Sequence, residues 1–392
     1  MVDATTSRPE RPAHAPEPAI SWHQPSSGLE SRVVRILFAS TQGAGHFRPL
    51  IPFIDSARRN GHETLIVGPP TLKARGYEFR AGASPPDELL GPLWGRMASL
   101  PPGQGDLVVV GQIFAALNVD AMLPGHEQAI EEWKPDLVLR ETSEYASAIA
   151  AERHGLPHVR VSAGVALVEE AELAIATPSL EERQPGIARR IAESPYLSYF
   201  PDTVDPSPFP LTRYRHPATE ATPVPLPDWW PGDERPLVYV SFGSVAATFP
   251  PAAQVYGAAL VAAAELPVRV LLTLGGNELE LGDIPSNVHV EDWVSEPDVL
   301  AGASAAVGHG GTGTTLSALA AGCPLVVVPL FGDQPHNAVR VAVSGAGVAS
   351  SIDQIGERIR LVLDGERYRS TARAMAGEMR SYPQVDDFFA SY

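Results

Sequence analysis

Cysteine is nearly absent from this sequence of 392 residues, which contains only Cys323. A single cysteine excludes a disulfide within the chain and a metal site built from several thiolates. Because Cys323 stands between Gly322 and Pro324 at a predicted helix-to-strand turn, we interpret it as a small buried packing residue. Stability therefore has to come from apolar cores, and a hydrophobic content of 44% is ordinary for globular domains.

Positive charge is also scarce. The 29 lysines and arginines are outnumbered by 46 acidic residues, and the formal net charge is −17 at pH 7. A general nucleic-acid binder needs a basic face, and an anionic membrane attracts polybasic segments, so neither partner is predicted. No apolar run reaches transmembrane length, and the first residues lack the basic and then apolar order of a signal peptide. We therefore predict a cytoplasmic protein that binds neither nucleic acid nor membrane.

Two motifs for cofactors and metals are incomplete or missing. Gly43 and Gly45 follow a predicted strand as in a dinucleotide-binding fingerprint, but Arg48 occupies the place of the third glycine. A nicotinamide oxidoreductase is disfavoured for this reason. No Asp-x-Asp motif occurs, so a carboxylate clamp for a divalent metal is not evident. We predict no cofactor and no metal site.

The length of the chain predicts two domains. Residues 1–31 are rich in Pro, Ser, Ala and Glu and poor in aliphatic residues, which predicts a disordered extension. Strand, glycine-turn and helix patterns then predict Rossmann-like α/β domains at 32–215 and 235–380, joined by a proline-rich linker at 216–234. Residues 381–392 are predicted to form a C-terminal helix.

Apolar and β-branched runs predict the strands at 33–40, 63–67, 135–140, 157–162, 236–244, 268–274, 287–291, 305–307 and 324–329. Helix patterns occur between them, at 47–60, 127–134, 143–154, 252–265, 316–321, 338–344, 353–363 and 366–379. Two segments lack a clear period: 71–125, which we expect to shape a ligand cleft, and 168–230. Within these segments, helices are predicted only at 107–119 and 186–194.

The stretch from Ala305 to Asn337 has the most specific pattern, which predicts a strand, a glycine turn, a helix, a second strand and a loop. A glycine turn that opens a helix directs unpaired backbone N–H groups and the positive end of the helix dipole at one place, which suits a phosphate. The residues predicted to surround a diphosphate there are His309, Gly310, Gly311, Thr312, Gly313 and Thr314.

Asp333 and Gln334 follow the next parallel strand, so they fall on the carboxyl edge where open α/β sheets bind ligands. A carboxylate and an amide beside phosphate donors suit the hydroxyl groups of a sugar. The two motifs together predict a sugar-nucleotide site, with the diphosphate on the turn and the sugar on Asp333 and Gln334. An ordinary Rossmann-type unit with a surface histidine is the alternative interpretation.

The motif H-G-G-T-G-T-T-L, which begins at His309, and the motif P-L-F-G-D-Q, which ends at Gln334, resemble the donor signature of inverting GT-B glycosyltransferases. The H-G-G-x-G-T-T form is similar to that of actinobacterial natural-product enzymes, relatives of the UDP-glycosyltransferase superfamily. The resemblance spans residues 33–392. It implies an α/β fold of the GT-B type, in which two Rossmann-like domains face each other across a cleft. It also implies that the C-terminal helix crosses back to the first domain.

The resemblance implies a catalytic base in the first domain. The strand–GxGH–helix opening matches at His46, and the acidic residue that follows P-D-L-V-L matches at Glu141. Such a carboxylate fixes the tautomer of the imidazole and stabilises the imidazolium that forms, and Glu144 is the alternative partner. A helix-capping role for His46 and a dipole-stabilising role for Glu141 are the structural alternatives.

The resemblance implies further donor contacts in the second domain. The V-x-F-G-S pattern places Gly243 and Ser244 beside the donor phosphates. Trp293 would stack near the base, and Val294 would contact the edge of the base through its backbone. In the family pattern W-V-P-Q, the Pro and Gln positions are Ser295 and Glu296 in this sequence. A donor contact from a glutamine is therefore weakened.

The resemblance implies transfer of a hexose, with inversion and without a metal, from a nucleotide diphosphate sugar to a hydroxyl. Plant enzymes bind both ribose hydroxyls with a Glu eight positions after the histidine, and this sequence has Ser317 there. That departure favours a dTDP-linked deoxysugar over a UDP-sugar. The implied acceptor is a hydrophobic small-molecule aglycone of polyketide, enediyne or macrolide type, and a homodimer is a further expectation.

Two other functions stay open from the sequence. A sugar-nucleotide 2-epimerase of the same fold would need additional carboxylates and basic residues around the cleft, which the sequence does not present. A non-catalytic sugar-nucleotide-binding helper protein would not need the histidine base, so the presence of His46 argues against it.

Overall fold

The computed structural model describes residues 33–72, 74–97, 100, 104–244 and 252–390. The predicted disordered extension at 1–31 lies outside the described residues. Two parallel sheets with helices packed on them make up the described part of the chain. The predicted α/β class with two Rossmann-like domains is confirmed, whereas the domain boundaries at 215 and 235 stay a prediction.

The strands of the first sheet are β1 (Arg35–Ala39), β2 (Glu63–Gly68), β3 (Phe79–Ala81), β4 (Leu137–Glu141), β5 (His158–Val161), β6 (Tyr196–Ser198) and β7 (Leu211–Arg213). Their order is β3-β2-β1-β4-β5-β6-β7, and neighbouring strands are parallel. β1 and β4 are almost completely buried because helices cover both faces of the sheet, which explains their continuous apolar runs. The chain leaves β1 towards one edge and β4 towards the other, so their carboxyl ends form a crevice.

The helices of the first domain are α1 (Ala44–Phe47), α2 (Ile51–Arg59), α3 (Asp87–Met97), α4 (Gly105–Val108), α5 (Val119–Trp133), α6 (Ala146–Arg153), α7 (Ala166–Arg183) and α8 (Ile187–Glu193). The 3-10 turn Arg48–Leu50 joins α1 to α2. The π-helical segment Val109–Asn118 joins α4 to α5, so the predicted helices at 107–119 and 127–134 are parts of one helical run.

This helical run, Gly105–Trp133, is the one candidate membrane span among the described residues, at 29 residues and by length and composition only. It corrects the prediction that no apolar stretch reaches transmembrane length. The core helix of a globular domain passes the same test, and Val110, Ala115 and Val119 lie in an apolar core with strand residues of the first sheet. The absence of a membrane partner and the cytoplasmic location stay predictions.

The second sheet contains β8 (Leu237–Ser241), β9 (Arg269–Thr273), β10 (Val288–Glu291), β11 (Ala305–Gly308), β12 (Leu325–Val327) and β13 (Gly347–Ala349). Their order is β10-β9-β8-β11-β12-β13, and neighbouring strands are again parallel. The helices are α9 (Ala252–Ala264), α10 (Glu296–Leu300), α11 (Thr312–Ala321), α12 (Gln334–Ser344), α13 (Ile355–Asp364), α14 (Glu366–Ser381) and α15 (Val385–Phe389). The crevice of this sheet lies between β8 and β11.

The last helix, α15, packs against α2 of the first domain. The rings of Phe388 and Phe389 lie 6.0 Å and 6.5 Å from the ring of Phe53. Asp386 accepts hydrogen bonds from the Ser56 hydroxyl and, at 2.7 Å, from Arg59. The end of the chain therefore contacts the domain in which the chain begins.

Several elements differ from the sequence expectations. Most of α7 falls in the segment 168–230 that lacked a clear period, because Glu169 is buried and Pro178 interrupts the pattern. The three-residue strands β3, β6, β7 and β13 are too short to produce a period. α11 begins at Thr312 rather than at Leu316, since the residues of the glycine turn themselves form its first turn.

Candidate active site

His46 and Glu141 meet at the crevice of the first sheet. Parallel pairing of β1 with β4 places Ala39 opposite Arg140, so the residues after each strand lie side by side. Nδ1 of His46 lies 3.1 Å from Oε2 of Glu141. The His46 side chain is 27% exposed and that of Glu141 is fully buried. One ring nitrogen is thus held by the protein while the imidazole still reaches the cleft.

The Glu141 carboxylate is fixed by three more hydrogen bonds. Its Oε1 accepts from the Thr41 amide at 3.0 Å and from the Thr41 hydroxyl at 2.9 Å. Its Oε2 accepts from the Ser143 amide at 2.8 Å. These donors hold the carboxylate in one orientation towards His46.

The pKa of His46 reflects two opposing causes. Burial lowers it, but the charge and the hydrogen bond of Glu141, together with the charges of Glu172 and Asp333, raise the pKa of His46 to about 8. A resting imidazolium at neutral pH follows from this value.

Glu144, the alternative partner for His46, has a different role. Its Oε1 lies 3.1 Å from Nε2 of His126, and both side chains are buried. Although burial of Glu144 acts in the other direction, His126 and Ser147 lower the pKa of the Glu144 carboxyl to about 2. The hydrogen bond to His46 is therefore made by Glu141.

The glycine turn that follows β11 opens α11 as expected. Gly310 has φ 88, a region that favours glycine, and a Cβ there would lie 2.7 Å from Cγ1 of Val327. A Cβ at Gly311 would lie 2.4 Å from Nε2 of His309. Only a chain without side chains at these two positions can make this turn beside the histidine. The free N–H groups of the first turn of α11 follow directly.

The His309 ring is enclosed by glycines of two loops. A Cβ at Gly243, where φ is 75, would lie 2.8 Å from Cε1 of His309. Burial lowers the pKa of His309 to about 4, so the imidazole is neutral at physiological pH. Its Nδ1 has no protein hydrogen-bond partner among the described residues. The adjacent Ser244 is exposed at the end of the same loop.

Trp293 belongs to an exposed loop of the second domain. The indole is 60% exposed, and the guanidinium carbon of Arg48 from the first domain lies 5.7 Å from its ring centroid. Val294 packs on an apolar core. The Thr314 hydroxyl donates to Glu296 at 2.7 Å, which ties the first turn of α11 to the Trp293 loop. The Thr312 hydroxyl is buried and has no protein partner among the described residues.

Asp333 and Gln334 begin α12 on the same side of the sheet. Asn337 donates through Nδ2 to Oδ2 of Asp333 at 2.7 Å and to the Gly310 carbonyl at 2.8 Å, so it connects Asp333 to the glycine turn. Burial raises the pKa of Asp333. A Cβ on Gly164 of the first domain would lie 3.8 Å from Oδ2 of Asp333, which places this carboxyl at the boundary between the domains.

Gln334 differs from Asp333 in what its side chain does. Its Oε1 accepts from the backbone amides of Leu330 at 2.8 Å and Phe331 at 3.0 Å, and the residue is 2% exposed. The amide oxygen therefore holds the loop after β12. Only its NH2 group can serve the predicted sugar contact.

A cavity in the first domain has Phe114, a ring neighbour of His46, in its wall. The ring of Phe114 in its wall meets the His46 ring edge-on at 5.4 Å. Leu90 and Met122 make much of the wall apolar, and Gln42 and Asn118 add neutral polar groups. The segment 71–125, expected to shape a ligand cleft, supplies part of this lining: Ala83, Ser84, Pro85, Leu90, Phe114, Asn118, Val119 and Met122.

Several residues of the site had no signal in the sequence. Thr41, Phe114 and Asn337 contact the predicted residues across 27 to 100 positions of the chain. Strand register and tertiary packing place these three residues next to the predicted site residues. Among the described residues, no group of three His, Cys, Asp or Glu side chains is placed to hold a metal ion.

Two parallel α/β domains, a His–carboxylate pair at one crevice and a glycine turn opening a helix at the other define a GT-B glycosyltransferase. Family models described as erythromycin biosynthesis protein CIII-like match residues 105–213 with their N-terminal domain and 258–389 with their C-terminal domain. The elloramycin glycosyltransferase ElmGT of Streptomyces olivaceus is 30% identical over 378 residues, which cover 91% of this chain and 96% of that protein. The chain belongs to this family of glycosyltransferases of antibiotic and natural-product biosynthesis.

Solved structures agree with this assignment. The glycosyltransferase SnogD from Streptomyces nogalater has a TM-score of 0.71 at 25% identity, covering 92% of this chain and 98% of that one. Glycosyltransferase VinC, solved in complex with dTDP, has a TM-score of 0.69 at 21% identity, covering 91% and 98%. The resemblance noted in the sequence to GT-B natural-product glycosyltransferases is confirmed.

Proposed function

We propose that this glycosyltransferase moves a deoxyhexose from a dTDP-linked donor to a hydroxyl of a hydrophobic aglycone, with inversion and without a metal ion. The observation that carries the proposal is the His46–Glu141 pair, 3.1 Å apart, at the edge of the cavity in the first domain. The glycine turn and Asp333 of the second domain lie across the cleft from this pair.

His46 is the general base in this proposal. Because Nδ1 is bound to Glu141, Nε2 is left to take the proton of the acceptor hydroxyl as its oxygen attacks the anomeric carbon. The buried Glu141 carboxylate stabilises the imidazolium that results. Attack on the face opposite the leaving group inverts the configuration at that carbon.

The leaving diphosphate gains negative charge during the transfer. The free N–H groups of the first turn of α11, its dipole and the neutral imidazole of His309 stabilise that charge, which removes the need for a divalent ion. Gly243 and Ser244 border the same space, and Asp333 with the NH2 group of Gln334 receives the hydroxyls of the sugar.

The preference for a dTDP donor rests on Ser317, which stands where plant relatives carry the ribose-binding Glu. Ser317 is 7% exposed and lies within α11. The complex of VinC with dTDP supports the same preference. The acceptor is proposed to be a bulky, uncharged secondary metabolite because the cavity beside His46 is lined mainly by apolar and neutral polar groups.

A thermal-shift panel of dTDP, UDP, GDP and NAD tests the donor. We expect dTDP to raise the unfolding temperature most, and stabilisation by NAD alone would contradict the proposal. Transfer from a dTDP-sugar is then measured with and without EDTA, and the anomeric configuration of the product is assigned by NMR. Collapse of transfer in EDTA would contradict metal independence.

The alternative of a non-catalytic helper protein is decided by His46→Ala. This substitution removes the base but leaves the donor turn intact. We expect transfer to be lost while dTDP still stabilises the variant. Full transfer by His46→Ala would favour the helper function.

A further inference from the structure

The half of the second domain that forms the donor site has no positive side chain of its own. Between Arg269 and Arg340 the sequence contains no Lys or Arg, but it contains eight Asp and Glu residues. This segment includes the glycine turn, the Trp293 loop and Asp333. A nucleotide diphosphate is strongly anionic, so the segment that is proposed to hold it repels it at long range.

The two arginines that flank this segment are engaged elsewhere. Arg269 lies 6.0 Å over the Trp230 ring and donates to the Arg235 carbonyl at 2.8 Å. Arg340 donates through Nε to the Val204 carbonyl at 2.6 Å. His309 is neutral because burial lowers its pKa to about 4. The segment between Arg269 and Arg340 therefore offers the diphosphate only uncharged donors, chiefly the backbone N–H groups of the glycine turn.

Arg48 of the first domain approaches the Trp293 loop of this segment. It is exposed, and no carboxylate of the described residues lies within salt-bridge distance of it. Its guanidinium carbon lies 5.7 Å from the Trp293 ring centroid, across the cleft. The Trp293 loop is tied to the glycine turn through the hydrogen bond of Glu296 with Thr314 at 2.7 Å.

We propose that Arg48 is a donor-binding residue whose guanidinium pairs with the diphosphate of the nucleotide sugar, so that the first domain completes the donor site. This inference rests on the proposed function. Arginine suits the role because its planar fork can stack on an aromatic ring and also donate two hydrogen bonds to phosphate oxygens. Donor binding then draws the two domains together, since the ligand is held from both sides.

The position of Arg48 in the chain supports the same role. It follows His46 by two residues and begins the 3-10 turn Arg48–Leu50. An ion pair between Arg48 and the diphosphate would therefore link the bound donor directly to α1, the helix that contains His46. Arg48 stands where a dinucleotide fingerprint has its third glycine. In this proposal, that position of the first domain supplies a cationic contact to the donor held by the second domain.

The test compares Arg48→Met, Arg48→Lys and wild type by titration calorimetry with dTDP and with thymidine. Arg58→Met is the matched control, because Arg58 is also exposed and lies 5.6 Å over the Tyr77 ring, away from the cleft. For Arg48→Met we expect Kd for dTDP to rise by about 10-fold or more and Kd for thymidine to stay unchanged. Arg48→Lys is expected to recover part of the loss, and Arg58→Met to match wild type.

The dependence on salt gives a second readout. Wild-type affinity for dTDP is expected to fall as NaCl is raised, and the fall is expected to be smaller in Arg48→Met. Equal loss of dTDP and thymidine affinity would reduce Arg48 to a stacking contact between domains and overturn the inference, as would an unchanged Kd for dTDP. Wild-type protein that binds no dTDP at all would refute the proposed function itself, and the inference would fall with it.

Discussion

At the scale of single residues, the proposed role of His46 as the base ties the activity to the charge state of its imidazole. Its pKa of about 8 lies above the ordinary value of 6.5, so the imidazole is protonated below about pH 8 and cannot accept the acceptor proton. We expect kcat/KM for the acceptor to fall as pH decreases through about 8. The profile is measured from pH 6 to 10 with the donor saturating. An acid limb near 6.5 would contradict the raised pKa.

Exchange of Glu141 for Gln separates the two carboxylates that were candidates in the sequence. Glu141→Gln keeps the shape but removes the charge that raises the pKa of His46, so the acid limb is expected to move to lower pH. The rate is expected to fall by about 10²–10⁴-fold, because the imidazolium loses its counter-charge. Both effects are read from one profile of kcat/KM for the acceptor against pH.

Glu144→Gln is the matched control for this experiment. It disrupts the buried pair with His126, so we expect a lower unfolding temperature and an acid limb that stays in place. An acid limb that moves in Glu144→Gln and not in Glu141→Gln would reverse the assignment.

At the scale of elements, the glycine turn that is proposed to bind the donor depends on a backbone conformation at Gly310 that favours glycine. Gly310→Ala puts a side chain at φ 88 and a Cβ 2.7 Å from Cγ1 of Val327, so the turn has to shift. We expect a loss of roughly 1–3 kcal/mol in unfolding free energy and loss of the dTDP thermal shift. Urea denaturation and a thermal-shift titration measure the two quantities.

Gly313→Ala serves as the control within the same helix. No atom lies within 4 Å of its Cβ position and its φ is outside the left-handed region, so the fold has room for alanine. Its unfolding free energy is expected to stay at the wild-type value or to rise slightly, since alanine favours helix. Equal destabilisation by both substitutions would show that the strain at Gly310 is not the cause.

The elements also show what sequence reasoning can and cannot reach. The turn at His309–Thr314 was predictable because its glycines express a local steric requirement. Glu141 was named because it matches the acidic position that the family resemblance implies, with Glu144 as the alternative. Phe114 and Asn337 were not, since their contacts depend on how helices pack on the sheets. α7 was not predicted because Glu169 occupies a buried position at which a periodic helix pattern requires an apolar residue.

At the scale of the whole molecule, α15 links the end of the chain to the first domain. Phe389 is 1% exposed and packs on Phe53, and its ring lies 5.8 Å from that of His62. Loss of this ring leaves a cavity in the core shared by α2 and α15. We expect Phe389→Ala to lower the unfolding free energy by about 3–5 kcal/mol.

The shape of the unfolding transition of Phe389→Ala distinguishes a helix that couples the two domains from one that only adds packing to a core. Val343→Ala is the control, because Val343 is 69% exposed on α12 and should cost less than about 0.5 kcal/mol. In calorimetric scans, the stabilisation by dTDP should persist in Phe389→Ala, since the Phe389 ring packs on Phe53 and His62 of the first domain. If α15 acts as the clamp between the domains, Phe389→Ala should broaden or split the unfolding transition, because the two domains then lose a contact that makes them unfold together. A single sharp transition at the wild-type temperature would mean that α15 adds nothing to the coupling of the two domains.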